Sequence, residues 1–261
     1  MQIKQCVCWP MFYREGLTFD KLAGVAAEIG YEAVETWGRG EDFDDFVATA
    51  RKHGLVVASF IGHGSLPEGL NNRSNHGRIE KEIRESIDVA ADNDIPGCIC
   101  FSGNRRPGLT DEEGIVITAE GLARVADYAV RKGVNLNLEL LNSKVDHKGY
   151  QCDRTGWAAT VVDKVNCPRV KILYDIYHMQ IMEGDVIRTI RDNIARIGHF
   201  HTAGVPGRND MDDTQELNYA GIARAIAATK YGGYVGHEFS PKGDPIEALR
   251  KTFPIFDQKP L

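Results

Sequence analysis

The chain has 261 residues, 43% of them hydrophobic and 26% charged, a composition typical of a globular protein with a large core. Its formal net charge of −6 argues against nucleic acid or an anionic membrane as the main partner. The opening segment, MQIKQCVCWP, lacks the basic and long apolar regions of a signal peptide, and no stretch approaches the ~18 apolar residues of a membrane span. We therefore expect a cytoplasmic protein that binds neither nucleic acid nor membranes.

The six cysteines stand at positions 6, 8, 98, 100, 152 and 167. Cys6 with Cys8 and Cys98 with Cys100 alternate inside apolar, strand-like segments, and neither pair has the CxxC spacing of zinc or redox sites. Buried thiols in a reducing compartment are the expected outcome, and a zinc site made of cysteines is not expected.

Short β-branched segments recur along the chain, each directly after a helical segment that ends in Gly, Asn or Pro. The first predicted strand, IKQCVC, covers residues 3–8. Seven helix-to-strand junctions follow, at residues 28–36, 52–60, 93–102, 131–140, 166–175, 196–202 and 231–239. Capping residues and apolar residues at helical spacing predict helices between them, including residues 18–30, 78–93 and 112–133.

Eight strands alternating with helices in a chain of about 250 residues are typical of a (β/α)8 barrel, the TIM barrel. A doubly wound open sheet is the alternative, but no glycine fingerprint follows the first strand. No linker, charge block or low-complexity tract divides the sequence. The sequence therefore predicts an α/β protein with one domain, a single (β/α)8 barrel over residues 1–261.

Polar residues stand at the ends of several predicted strands, where the function of such barrels is concentrated. The second strand ends at Glu35, and the fifth to eighth strands end near Glu139, Asp175, His201 and Glu238. Each has an ordinary structural explanation by itself, but three carboxylates in one barrel mouth would repel one another without a cation. Three carboxylates and an imidazole suit Mg2+ or Mn2+, with Zn2+ or Co2+ as alternatives, and no organic cofactor is predicted.

Five segments of the second half resemble those of a known family. They are NLELLN (137–142), LYDIYHMQIMEGD (173–185), GHFHTAGVPGRND (198–210), QELNY (215–219) and GHEFSPKGDP (236–245). They resemble the hydroxypyruvate isomerases, which belong to the xylose isomerase-like TIM barrels together with ketose 3-epimerases and inosose dehydratases. The resemblance covers the chain from the fifth strand onward and the first half only in its general layout.

The resemblance implies four ligands for a divalent metal ion: Glu139, Asp175, His201 and Glu238. It implies that Glu139 and Glu238 also transfer protons, one on each side of the substrate. His178 matches a histidine that contacts a substrate oxygen, and Arg208 lies in the loop that meets the substrate. The third ligand is a glutamine in the hydroxypyruvate isomerases, within HxQxAGxPxR, and a histidine in the ketose 3-epimerases, as at His201. The segments AGVPGR and QELNY are more similar to the isomerases.

The resemblance predicts a small α-hydroxy carbonyl substrate, a sugar or a hydroxy-keto acid. Two-glutamate proton transfer through a metal-bound cis-enediolate would convert hydroxypyruvate into tartronate semialdehyde, 2-hydroxy-3-oxopropanoate. A ketose 3-epimerase and an inosose-type dehydratase are the alternatives. Arg208 is a candidate partner for a substrate carboxylate, and the alternative is a surface ion pair with Asp210 or Asp212.

Four further aromatic or histidine positions are open to interpretation. Trp9 and Trp37 follow the first two strands and could line the pocket or pack at the rim. His63 lies in the long loop 62–77, a candidate lid, where we expect a solvated side chain. His237 should point away from Glu238 and be structural. Nothing in the sequence identifies an interface, so association into a homo-oligomer is left open.

Overall fold

The computed structural model of the protein describes residues 2–258, which form two compact units. The first unit comprises residues 2–60, 185–194 and 200–258, and the second comprises residues 61–184 and 195–199. The prediction of a single domain stays a prediction.

Strands and helices alternate along the described residues. The strands are β1 (Lys4–Cys8), β2 (Ala33–Glu35), β3 (Val56–Val57), β4 (Ser59–Ile61), β5 (Gly97–Cys100), β6 (Asn135–Glu139), β7 (Val170–Asp175), β8 (Ile197–Thr202) and β9 (Tyr234–His237). The α-helices are α1 (Trp9–Phe12), α2 (Phe19–Ile29), α3 (Phe43–Lys52), α4 (His76–Asp92), α5 (Asp111–Lys132), α6 (Thr155–Val165), α7 (Ile176–Met182), α8 (Val186–Asn193), α9 (Tyr219–Ala227) and α10 (Pro245–Phe256). Two short 3-10 helices cover Arg73–Asn75 and Ile194–Arg196.

In the first unit the strands pair in the order β3-β2-β1-β9-β8, and every pairing is parallel. The register places Cys8 opposite Glu35 and Thr202 opposite His237, so the carboxyl ends of neighbouring strands lie level. Helix α2 is capped by the Thr18 hydroxyl and ends at Gly30, which has φ 117°. A Cβ there would lie 2.8 Å from Cζ of Phe253 in α10, so glycine permits both the turn and the close packing.

In the second unit β5, β6 and β7 pair in parallel, and Glu139 at the end of β6 lies opposite Leu173 in β7. Helix α5 begins with a complete capping box between Thr110 and Glu113. Helix α7 begins directly after β7, and its N-cap is Asp175, whose Oδ1 accepts a hydrogen bond from the backbone N–H of His178. The last residue of β7 is therefore fixed by the helix that follows it.

The predicted elements are found in the structure. All eight predicted strands are present, and the third is divided at Ala58 into β3 and β4. The helices predicted over 18–30, 78–93 and 112–133 correspond to α2, α4 and α5. Among residues 2–258, no helix combines the length and apolar character needed to cross a membrane. The cytoplasmic location and the oligomeric state stay predictions.

The cysteines are free thiols, and five of them are buried, as predicted, while Cys167 is half-buried. Burial raises the pKa of the Cys6, Cys8, Cys100 and Cys152 thiols well above the usual value. Thiols held protonated in this way are poor nucleophiles, so these four belong to the core.

Candidate active site

Two buried acids stand side by side at the ends of neighbouring strands in the second unit. Glu139 is the last residue of β6 and Asp175 the last of β7, and their side chains are almost inaccessible, with 5% and 1% exposure. One carboxylate oxygen of each lies within 4.8 Å of the other. Because two ionised carboxylates this close would repel each other strongly, the pair is suited to binding a cation.

The first unit contains the other two predicted ligands. His201 lies one residue before the end of β8, and Glu238 directly follows β9. His201 Nδ1 lies 3.2 Å from Glu238 Oε2. Arg208 Nη2 lies 2.5 Å from the same oxygen, and the Trp37 indole N–H donates to Glu238 Oε1 at 2.9 Å. Both oxygens of Glu238 are therefore held by neighbouring side chains.

Glu238 is ionised despite its burial. Burial by itself acts to raise its pKa, but the charge of Arg208, the nearby His201 and the hydrogen bonds from His201 and Trp37 act in the opposite direction. The net result is a pKa well below the usual value for a glutamate. A carboxylate in this state can bind a cation.

Arg208 contacts the predicted catalytic residue and not the nearby aspartates. The alternative expectation of a surface ion pair with Asp210 or Asp212 is wrong, because the two aspartates bind the backbone N–H and the Nζ of Lys242. A tight loop, in which the Arg208 N–H donates to the carbonyl of Gly204, gives Arg208 a φ of 56°. The loop directs the guanidinium toward Glu238.

His178 lies in the first turn of α7 and is fully buried. Its Nε2 is 3.6 Å from Asp175 Oδ2, and its Nδ1 is 2.6 Å from the side-chain nitrogen of Asn142. The histidine that was predicted to contact the substrate is therefore beside one of the predicted metal ligands. Asn142 is not among the site residues predicted from the sequence.

Glu35 and Trp37 also belong to this site. Glu35 was expected at the end of a strand without an assigned role, and Trp37 was expected either to line the pocket or to pack at the rim. Glu35 ends β2, is buried, and places Oε1 3.1 Å from His201 Nε2. The His201 ring thus lies between two carboxylates, Glu35 on the Nε2 side and Glu238 on the Nδ1 side. A carboxylate at the end of a buried strand was the available signal for Glu35.

The two remaining histidine predictions have opposite outcomes. His237 is buried as expected, with Nδ1 2.8 Å from the Thr202 hydroxyl and Nε2 3.0 Å from Gln5 Oε1. The expectation of a solvated His63 is wrong. His63 is 2% exposed, and its Nε2 accepts a hydrogen bond from the backbone N–H of Phe101 at 2.9 Å. That N–H needs an acceptor in the interior, and the histidine provides it.

Burial of His63 predicts a pH dependence of folding. Burial lowers its pKa from 6.5 to about 4, so the unfolded chain takes up a proton below pH 6.5 while the folded chain does not until about pH 4. As the pH is lowered from 6.5 to about 4, the free energy of unfolding should therefore decrease, by about 3 kcal/mol in total from this group. Replacing His63 by glutamine, which keeps an acceptor for Phe101, should remove this contribution. Equal pH dependence of urea unfolding in both proteins would contradict the prediction.

Comparison with known proteins identifies the family. A sequence model described as "Xylose isomerase-like TIM barrel" matches residues 23–256, nearly the whole chain. The chain belongs to this family. The predicted (β/α)8 barrel is thereby confirmed, and so is the resemblance on which the site residues were assigned. In xylose isomerase-like barrels, as in other TIM barrels, the carboxyl ends of the strands surround the active site.

Individual relatives agree with this assignment. The chain is 36% identical over 250 residues to 2-oxo-tetronate isomerase of Cupriavidus necator, covering 92% of this chain and 93% of that one. It is 32% identical over 151 residues to hydroxypyruvate isomerase of Escherichia coli K12, covering 58% of each. A crystal structure titled AP endonuclease, family 2, from Brucella melitensis superposes with a TM-score of 0.85 at 24% identity, over 97% of this chain and 99% of that one. The last likeness shows the fold alone, and the named relatives show that the chain is an isomerase.

The donor atoms in each unit fit a divalent metal ion. Glu139 and Asp175 supply carboxylate oxygens in the second unit, and Glu238 and His201 supply a carboxylate oxygen and an imidazole nitrogen in the first. Hard divalent cations such as Mg2+ and Mn2+ prefer oxygen-rich sets of this kind. The family and these residues are therefore compatible with a metal site.

Proposed function

We propose that the protein is a metal-dependent isomerase of a small α-hydroxy carbonyl compound, and that it converts hydroxypyruvate into tartronate semialdehyde. The observation that carries the proposal is the buried Glu238 directly after β9, with both carboxylate oxygens held by Arg208 and Trp37. A second buried glutamate, Glu139, ends β6 beside Asp175. The names of two relatives, hydroxypyruvate isomerase and 2-oxo-tetronate isomerase, support a hydroxy-keto acid as the substrate.

We propose further that Glu139, Asp175, His201 and Glu238 hold one divalent ion. They stand at the ends of strands β6 to β9, and a TIM barrel collects such ends at one rim. The ion, when bound, would polarise the substrate carbonyl and acidify the adjacent C–H bond. Mg2+ and Mn2+ are the preferred ions, and Zn2+ and Co2+ are alternatives.

The side chains of the protein transfer the protons and bind the substrate. One glutamate of the pair removes the proton from the hydroxyl-bearing carbon next to the carbonyl, which gives a cis-enediolate. Protonation of the former carbonyl carbon, and transfer of the hydroxyl proton from one substrate oxygen to the other, complete the isomerisation. His178 contacts a substrate oxygen beside Asp175. Arg208, whose guanidinium already adjoins Glu238, binds the substrate carboxylate and so places the C–H bond near the base.

A product assay in D2O tests this proposal. The protein, supplied with Mn2+ or Mg2+, is incubated separately with hydroxypyruvate, 2-oxo-tetronate, free ketoses and inosose, and the products are identified by NMR and mass spectrometry. We expect tartronate semialdehyde from hydroxypyruvate, with deuterium at the carbon that gains a proton. An inverted ketose carbon would identify an epimerase, and loss of water a dehydratase. Either result, with no reaction of hydroxypyruvate, would reject the proposed reaction.

A further inference from the structure

Asn142 has an amide whose orientation is fixed by its neighbours. It lies in the loop after β6 and is fully buried. Its side-chain oxygen accepts hydrogen bonds from the backbone N–H groups of Val145, at 2.9 Å, and Asp146, at 3.0 Å. Because two backbone donors can face only an oxygen, the other end of the amide must be the NH2 group.

The two hydrogens of that NH2 group have one acceptor each. The nitrogen lies 2.6 Å from Asp146 Oδ2 and 2.6 Å from His178 Nδ1. Asp146 Oδ2 also accepts the hydroxyl of Tyr177 at 2.8 Å, as expected of a carboxylate oxygen that acts as an acceptor. Since an amide hydrogen faces His178 Nδ1, this ring nitrogen is an acceptor and the imidazole hydrogen is on Nε2.

We propose that Asn142 is a positioning residue that fixes His178 as the Nε2–H tautomer, so that His178 donates a hydrogen bond to a substrate oxygen. The second half of this statement rests on the proposed function. The donor end of the ring is beside Asp175, with Nε2 3.6 Å from Oδ2, whereas the acceptor end faces Asn142. Asn142, in the loop after β6, therefore sets the direction in which His178 donates.

This polarity assigns His178 a single role in the reaction. An Nε2 that carries hydrogen cannot accept the substrate proton, so proton removal is left to Glu139 and Glu238. A fixed N–H donor stabilises the negative charge that develops on a substrate oxygen when the C–H proton leaves, and it needs no reorientation during the reaction. His178 thus acts on the oxygen and the glutamates act on the carbon.

The substitution Asn142→Asp tests the inference, because it keeps an oxygen for the backbone N–H groups of Val145 and Asp146 and presents an acceptor to His178 Nδ1. It is made together with Asp146→Asn, so that two carboxylates do not face each other where the Asn142 nitrogen now donates to Asp146. In 15N NMR of histidine-labelled protein, we expect the wild type to show the Nε2–H tautomer at His178 and the variant to show the Nδ1–H tautomer. Turnover (kcat) should fall about 100-fold, the usual cost of losing one such donor, with a much smaller change in KM. Tyr177→Phe, which removes the hydroxyl that donates to Asp146 and leaves Asn142 in place, is the matched control and should keep the wild-type tautomer and kcat.

Two further measurements separate positioning from simple destabilisation. Urea unfolding reports whether the variants are folded at the assay temperature, and Asn142→Ala, which removes the polarity without adding a charge, should give a mixture of tautomers and an intermediate kcat. In a His178→Gln background, Asn142→Asp should cost little further activity, because the tautomer no longer exists. An Nδ1–H tautomer in the wild type would overturn the inference, and so would wild-type kcat in a folded Asn142→Asp protein with a reversed tautomer. The NMR result needs no turnover, so an inactive substrate panel would count against the proposed function and not against the tautomer.

Discussion

Replacing Glu139 or Glu238 by glutamine should lower kcat by about 1000-fold in each case, because glutamine cannot accept or return the proton. The side chains have almost the same shape, so loss of folding is not expected to dominate, although Glu238→Gln also removes the charge that pairs with Arg208. Steady-state kinetics on hydroxypyruvate measure the effect. Wash-in of deuterium from D2O measures the first proton transfer separately from product formation.

The exposed Glu28, on the surface of α2, provides the matched control. Glu28→Gln removes one negative charge from the same protein without touching a buried acid, and it should retain wild-type turnover. If either buried variant kept full turnover, its glutamate could not be a proton carrier. A variant that still exchanged deuterium but formed no product would identify the other glutamate as the residue that removes the first proton.

Removal of the metal should abolish turnover and lower the thermal stability. In the Asp175→Asn protein, added metal should restore less turnover and give less thermal stabilisation than in the wild type. A ligand that binds only the folded state at about 100 times its Kd stabilises it by about 2.7 kcal/mol. Asparagine caps a helix about as well as aspartate, so the start of α7 should be preserved while the negative charge is lost. Thermal unfolding with increasing Mn2+, after treatment with a chelator, measures the stabilisation, and calorimetric titration gives the affinity and stoichiometry.

We expect the wild type to bind one Mn2+ ion and the Asp175→Asn protein to bind it much more weakly, while both have similar stability in the presence of the chelator. Equal Mn2+ affinity in the two proteins would remove Asp175 from the ligand set. Absence of any stabilisation of the wild type by Mn2+, Mg2+, Zn2+ or Co2+ would contradict the metal site as a whole.

The sequence predicts the strands well because the signals for them are local. Helix-ending residues such as Gly30 and Gly133 are followed within a few residues by β-branched or apolar residues, and this order determines where β2 and β6 begin. The interruption of the third strand at Ala58 has no such signal. It depends on how each half of the segment pairs with its neighbours, which a single sequence does not reveal.

The site residues can be predicted from the sequence more readily than the contacts between them. Glu139 and Glu238 could be identified because parallel strands present their ends at one edge. The contact between Trp37 and Glu238 joins residues 201 positions apart, and that between Asn142 and His178 joins residues 36 positions apart. The expectation of a solvated His63 fails because it too depends on a distant contact. The polar sequence around His63 gives no indication that the backbone N–H of Phe101 requires an acceptor.

The crowding around Glu238 bears on how selectively a cation can be taken up. A carboxylate has about four lone-pair positions, and Trp37, Arg208 and His201 already face this one. An ion that binds Glu238 would therefore compete with these side chains. Its net affinity would be the difference between the attraction of Glu238 for the ion and its attraction for the side chains that the ion displaces. At the same distance a divalent ion gains about twice as much as a monovalent ion at such a carboxylate. If the proposed metal ion binds here, competition with Arg208 for Glu238 would therefore favour a divalent ion over a monovalent one.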